Sequence, residues 1–189
     1  MRIRPSVVAV TALAAAAGAA GTAYLGLVTG ALAVDLGVGR RTRPLVPITV
    51  TVDAPRQTVY DVLCASYVER PSRAMRAKVE VLDRGAGLLL AAHRTALRGG
   101  LTAVTTETVG FEPPARMTFR LVRGPVPHVL ESFELTDEGD RTSVRYSGEL
   151  GTDLGAAGAR WGDLVARSWE STVRESLEEA KVEAERRSR

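Results

Sequence analysis

The sequence predicts an α+β fold in which an antiparallel sheet of about seven strands packs against one long C-terminal helix. Two observations carry this. Six segments of strand character follow one another between residues 78 and 150, separated by glycine, proline or acidic turns. Connections that short join antiparallel neighbours. Beyond them, Trp161, Leu164, Val165, Trp169, Val173, Leu177 and Ala180 recur every three or four residues, the apolar stripe of a long amphipathic helix. A sheet with one apolar face and a helix with one apolar stripe bury each other.

The elements follow in order. Residues 5–34 carry no formal charge, and as a helix they would reach about 45 Å, beyond the roughly 30 Å hydrocarbon core of a bilayer. With Arg2 and Arg4 before the stretch and Arg40, Arg41 and Arg43 after it, residues 1–36 are expected to form an uncleaved transmembrane anchor. The competing reading is a signal peptide cut after Ala31-Leu32-Ala33, but an h-region is usually about 7–15 residues and this run is twice that. The arginine count on the two flanks barely separates the orientations; the expectation is a single-pass membrane protein with its globular domain on the cytosolic side. Residues 37–47, with Gly37, Gly39, Pro44 and Pro47, are expected to be a linker, and 48–189 the domain.

Ile48-Thr49-Val50-Thr51-Val52 alternates with period two and reads as a strand. Asp53 is placed to cap a helix with Pro55 in its first turn, and Val59, Val62, Leu63 and Tyr67 fall on one of its faces. Residues 69–76 read as a loop or a short second helix. Strands are expected over 78–82, 88–95, 101–111, 117–123, 128–135 and 142–150. The charged tail, 181–189, is expected to be solvated.

Composition excludes several classes. The net charge is +3, but residues 1–47 hold five arginines against Asp35, and the remaining 142 residues hold 20 basic and 21 acidic side chains. Phosphate binding needs clustered positive charge, so no nucleic-acid partner is expected. One cysteine forms no internal disulfide, and with only His93 and His128 beside it a structural zinc site is not expected. There is no nucleophile motif, phosphate loop or cofactor fingerprint. Cys64 reads as core filler, and His128 as a surface residue.

The order strand, helix, six-stranded meander, long helix resembles the START-like, helix-grip superfamily, also called SRPBCC, of polyketide cyclase/dehydrase and lipid-transport proteins. So do Ala54-Pro55-Arg56-Gln57-Thr58-Val59-Tyr60-Asp61-Val62-Leu63, Phe111-Glu112-Pro113-Pro114-Ala115-Arg116-Met117, and the turn and strand over 136–146. The resemblance covers about residues 48–183. It departs where many relatives carry a tryptophan after the first helix, since 66–76 has none. The resemblance implies a curved sheet gripping the last helix around a pocket for a hydrophobic small molecule, in a superfamily of both enzymes and carriers.

The hairpin at Pro113-Pro114 fixes which polar groups enter that pocket. A four-residue loop sets Glu107 opposite Arg120 on the surface. A five-residue loop sets Phe111 opposite Met117, Val109 opposite Phe119 and Glu107 opposite Leu121. A one-residue slip moves every side chain to the other face, and only the longer loop gathers the apolar residues, so Glu107 is expected to point inward. Parity then turns Glu131, Phe133 and Tyr146 inward as well. On 88–95 either His93 or Arg94 points inward. Trp161 and Trp169 read as core anchors, with Trp169 also available to a ligand. The expected ligand-binding set is Glu107, Glu131, Tyr146, Phe119, Phe133, Val109, Met117, Trp169, His93 and Arg94: an apolar wall with few polar groups. The main functional reading is membrane-tethered binding or transport of a lipid or polyketide-like molecule. The alternative is a cyclase, aromatase or dehydrase using cavity carboxylates for proton transfer. A third is an interaction module with a collapsed pocket.

Overall fold

The computed structural model describes residues 18–97 and 100–189. A helix over 18–28 (α1) is followed by strands β1 (Arg41–Pro44) and β2 (Ile48–Val52), helices α2 (Arg56–Cys64) and α3 (Arg73–Lys78), then β3 (Val79–Arg84), β4 (Leu88–Ala96), β5 (Thr102–Glu112), β6 (Arg116–Arg123), β7 (His128–Asp137) and β8 (Thr142–Thr152), and α4 (Gly155–Arg187). One antiparallel sheet runs β1-β8-β7-β6-β5-β4-β3, with β2 also on β8. β1 and β2 occupy successive stretches of the same β8 edge, Arg41 opposite Thr152 and Ile48 opposite Tyr146.

The stretch expected to be a linker therefore contains an edge strand. Its cause is a polar clamp: the Asp153 carboxylate accepts from the backbone N–H groups of Leu36 and Gly37 at 2.7 and 2.9 Å and from Arg40 Nε at 2.8 Å. Leu45, almost fully buried, closes the join. The Asp153 carboxyl is held down at about 2, chiefly by Arg40.

Among the described residues the transmembrane anchor is not found. No helix there is long and apolar enough to cross a membrane, which overturns the membrane localisation and the cytosolic placement tied to it. α1 stops at residue 28, and Gly30, at φ +71°, turns the chain back with its α-carbon face against the Val104 carbonyl. The domain then takes up this segment's apolar side chains. Val28 is buried, Tyr24 meets Trp161 edge-on at 6.0 Å, and the Ala31 carbonyl accepts from Arg123. The first half of the uncharged stretch, up to residue 17, lies outside the described residues.

Three local expectations are also corrected. Pro55, not Asp53, is the N-cap of α2, with no side-chain cap, because the Asp53 carboxylate is drawn to Arg141 at 2.9 Å. The segment after α2 adopts its helical option, α3, capped by Ser72 Oγ accepting from Met75 N. The C-terminal turns of α4 are not free in solvent: Ala184 is fully buried, Lys181 donates to the Thr51 carbonyl, and Glu185 accepts from Asp53 N.

α4 approaches the sheet through small residues. Gly162 and Ala166 are buried on it while Leu164 is exposed, and a Cβ at Gly162 would stand 3.0 Å from Thr152. The close approaches of α4 are to β2, β8 and α2. The inner faces of β4 to β7 extend beyond these approaches, and α4 reaches β7 through Trp169, whose Nε1 donates to Glu131.

Candidate functional site

The candidate site is built by strand parity. β5 pairs with β6 in the register of the longer loop, Glu107 opposite Leu121, Val109 opposite Phe119 and Phe111 opposite Met117. β6 then sets Phe119 opposite Glu131 and Met117 opposite Phe133, and β8 sets Tyr146 opposite Phe133 and Gly148 opposite Glu131. One face thus carries Glu107, Val109 and Phe111, then Met117, Phe119 and Leu121, then Glu131 and Phe133, then Tyr146. Gly148 is required here, since a Cβ would lie 2.6 Å from the Leu130 carbonyl.

The aromatic side chains form a continuous wall. Ring centroids are 5.8 Å apart for Tyr67 and Phe111, 6.2 Å for His93 and Phe119, 5.5 Å for Phe119 and Phe133, and 5.1 Å for Phe133 and Tyr146. Tyr67, His93, Phe111, Phe119, Phe133 and Trp169 are only half-buried although all belong to the inner face. The wall is therefore partly exposed while it packs against the core. Val109, Met117 and Tyr146 lie deeper, in the core. Cys64 also belongs there, its Sγ 3.7 Å from Met117 Sδ, with burial pushing the thiol up to about 11.

Two buried carboxyls interrupt this wall. Glu131 Oε1 accepts from Tyr146 Oη at 2.5 Å and from Trp169 Nε1 at 2.7 Å. Among the described residues no hydrogen bond engages its Oε2. Burial raises the Glu131 carboxyl to about 7, the nearby Glu107 adds to the rise, and the two donors oppose it. Glu107 Oε1 accepts from Thr105 Oγ1 at 2.6 Å, and burial raises this carboxyl also to about 7.

His93 resolves the ambiguity on β4. It faces Thr105 across the ladder and points inward, with Nδ1 3.4 Å from Glu107 Oε2 and Nε2 2.9 Å from Tyr67 Oη. Burial lowers its pKa to about 4, so the ring is neutral. Arg94, included among the expected ligand contacts, points to the outer face and pairs with Glu80, because neighbouring strand residues take opposite faces. His128 pairs with Glu149 at 2.7 Å, away from the candidate site.

Tyr67 and Thr105 were not among the expected site residues. Thr105 shares the parity of Glu107 two residues along β5, a signal the sequence carries. Tyr67 gave a misleading one: its spacing placed it on the apolar face of α2, whereas α2 ends at Cys64 and Tyr67 sits in the following turn, its N–H donating to the Cys64 carbonyl at 2.8 Å. Two surface grooves of about 690 and 440 Å³ flank that turn, sharing Val68 and Pro71; neither is lined by the buried carboxyls. Among the described residues no cluster of three or more His, Cys, Asp or Glu side chains is placed to hold a metal ion.

Fold and site together define an α+β domain of the helix-grip type, with a sheet gripping a C-terminal helix beside a polar-studded aromatic wall. The family model for polyketide cyclase / dehydrase and lipid transport matches residues 43–185, and the chain belongs to that family. No curated protein matches it. Among solved structures it is similar to the Zhui aromatase/cyclase from a Streptomyces species, at 22% identity and TM-score 0.64, covering 79% of this chain and 97% of that one. It is also similar to the di-domain ARO/CYC BexL, at 21% identity and TM-score 0.61, covering 76% of this chain and half of that one. Norcoclaurine synthase from Thalictrum flavum, solved with dopamine and hydroxybenzaldehyde, matches at 12% identity and TM-score 0.54, over 75% and 85% of the two chains. At these identities the likeness is one of fold.

Proposed function

We propose that the aromatic wall opens to bind a polyketide-like chain of alternating carbonyl and methylene groups and that the site catalyses its cyclisation by proton transfer, with Glu131 as general base. The family admits both this and lipid transport, and the aromatase/cyclase neighbours support it over plain carriage of a lipid. The observation that carries it is the mounting of Glu131. Two donors grip one carboxylate oxygen and leave the other unengaged among half-buried aromatic rings. A carboxyl raised to about 7 is matched to removing a proton from carbon near neutrality.

Glu131 takes a proton from a methylene flanked by two carbonyls. The resulting carbanion bonds to a second carbonyl carbon of the same chain, closing a six-membered ring, and that carbonyl oxygen takes up a proton to become a hydroxyl. Loss of this hydroxyl with a neighbouring hydrogen releases water and leads to the aromatic ring. Phe119, Phe133 and Trp169 hold the chain folded, which supplies the proximity such a closure needs.

The test is conversion of a linear tetraketone to its aromatic product, followed by chromatography against the uncatalysed reaction. Glu131→Gln is expected to lower the rate about 100-fold or more while still quenching Trp169 fluorescence on binding. Binding without acceleration by the native chain would make the domain a carrier instead.

A further inference from the structure

We propose that Tyr67, His93 and Glu107 form a relay that carries a proton from the Glu107 carboxyl to a carbonyl oxygen of the bound ligand, with the Tyr67 phenol as the group that touches it. This rests on the acid–base reading of the site and supplies the acid that Glu131 alone does not.

The geometry is a line of four polar groups from three elements. Thr105 Oγ1 fixes one oxygen of Glu107, the other lies 3.4 Å from His93 Nδ1, and His93 Nε2 lies 2.9 Å from Tyr67 Oη. His93 Nδ1 is buried and has no hydrogen-bond partner, and Glu107, 3.4 Å away, is the group placed to satisfy it once the two are aligned. Catalytic contacts often tighten only when ligand closes the site. Tyr67 projects into the aromatic wall against Phe111 and Phe119.

The chemistry follows from which groups are charged. With His93 neutral and Glu107 protonated, the Glu107 O–H faces Nδ1, the imidazole carries its hydrogen on Nε2 and donates it to Tyr67 Oη, and the Tyr67 hydrogen is free for the ligand. Burial raises the Tyr67 phenol well above its ordinary range, so it yields its proton only if another replaces it at once. In the transfer, the Tyr67 proton goes to the ligand oxygen, the Nε2 proton to Tyr67, and the Glu107 proton to Nδ1. Glu107 ends as the carboxylate, and His93 stays neutral with its hydrogen moved from Nε2 to Nδ1. Tyr67 is the catalytic acid; His93 and Glu107 act through it.

The titratable groups around the relay are Glu131 of β7, Tyr146 of β8 and Cys64 of α2. Among these Glu131 is the other group that ionises near neutrality, and a charge on either carboxyl opposes ionisation of its neighbour. The relay is therefore loaded on the acid side of the Glu107 titration at about 7 and empties above it.

Two measurements test it. The first is the nitrogen-15 NMR signature of His93, in a chain with only two histidines. The relay requires the hydrogen on Nε2 at pH 5.5 and its transfer to Nδ1 as Glu107 ionises. A Nδ1–H form at pH 5.5 overturns the proposal whether or not any ligand reacts. The second is enolisation of benzoylacetone, followed by absorbance. Tyr67→Phe is expected to slow it about 100-fold with little change in probe affinity, and Glu107→Gln to abolish the loss of rate through pH 7. A Tyr67→Phe rate within twofold of the native chain, with Glu131→Gln inactive, refutes the relay and leaves the base intact. Failure of Glu131→Gln to slow the reaction refutes the wider reading.

Discussion

Replacing Glu107 by Gln should make the protein more stable in alkali and nearly unchanged in acid. The carboxyl sits at about 7 in the folded chain against an ordinary 4.5, because burial penalises its charge. Between those values the folded state binds a proton that the unfolded state has released, so stability falls as pH rises. Below pH 4.5 both states are protonated and nothing is lost; above pH 7 the whole difference is lost. At about 1.4 kcal/mol for each tenfold change in proton affinity, the penalty at pH 8.5 is about 3 kcal/mol. Gln has the same shape, its oxygen can still accept from Thr105, and its amide can donate to His93 Nδ1. Thermal unfolding at pH 4.5 and 8.5 reads the effect, and for a chain of this size about 3 kcal/mol corresponds to roughly 6–12 °C. The gain should appear only at the higher pH. An equal change at both values, of either sign, would mean that Glu107 does not carry its proton in the fold.

Other perturbations separate the parts of the structure. Tyr146→Phe removes a donor to the Glu131 anion, so the base should ionise at higher pH and the ascending limb of the pH–rate profile should move upward by about one to two pH values, from the roughly 1.5–3 kcal/mol of a hydrogen bond to a charged group. Gly148→Ala drives a Cβ to 2.6 Å from the Leu130 carbonyl and should cost about 1–3 kcal/mol, measured by urea unfolding. Asp153→Asn should release the chain around Leu36, Gly37 and Arg40, seen as faster proteolytic cleavage between residues 30 and 40. The Asp153 contribution is present above the ordinary carboxyl range and is lost as pH falls toward 2.

The inner face of the sheet was legible in the sequence because β5 and β6 alternate so strongly that one register unites their apolar residues. That register carried Glu107 and Glu131 inward with it. His93 and Arg94 could not be ordered, since Leu88 to Ala92 is apolar on both faces and parity has no purchase there. β1 was illegible for the opposite reason. Arg41-Thr42-Arg43-Pro44 has no apolar period, and its strand exists because Asp153, more than a hundred residues away, anchors the preceding loop. The N-terminal stretch misled through length. Thirty uncharged residues satisfy a hydropathy rule, but Ala and Gly make the run only mildly apolar, and its described part finds Trp161 and Val104 instead.

The aromatic wall lies beyond the close approaches of α4 to β2 and β8, and that position has an electrostatic consequence. On β8 and β2, close contact with α4 leaves no room for solvent. Over β5 to β7 the wall is aromatic and half-buried, and burial raises both carboxyls that stand in it. Two such carboxyls in one wall do not ionise independently, because the first anion raises its neighbour. Near neutrality the pair therefore holds one proton and one charge. The oxygen with two fixed donors is the better seat for the charge, in keeping with the base proposed at Glu131. The carboxyl beside a neutral imidazole is the better seat for the proton, in keeping with the reservoir proposed at Glu107. The asymmetry of their partners, rather than any difference in burial, divides the two roles.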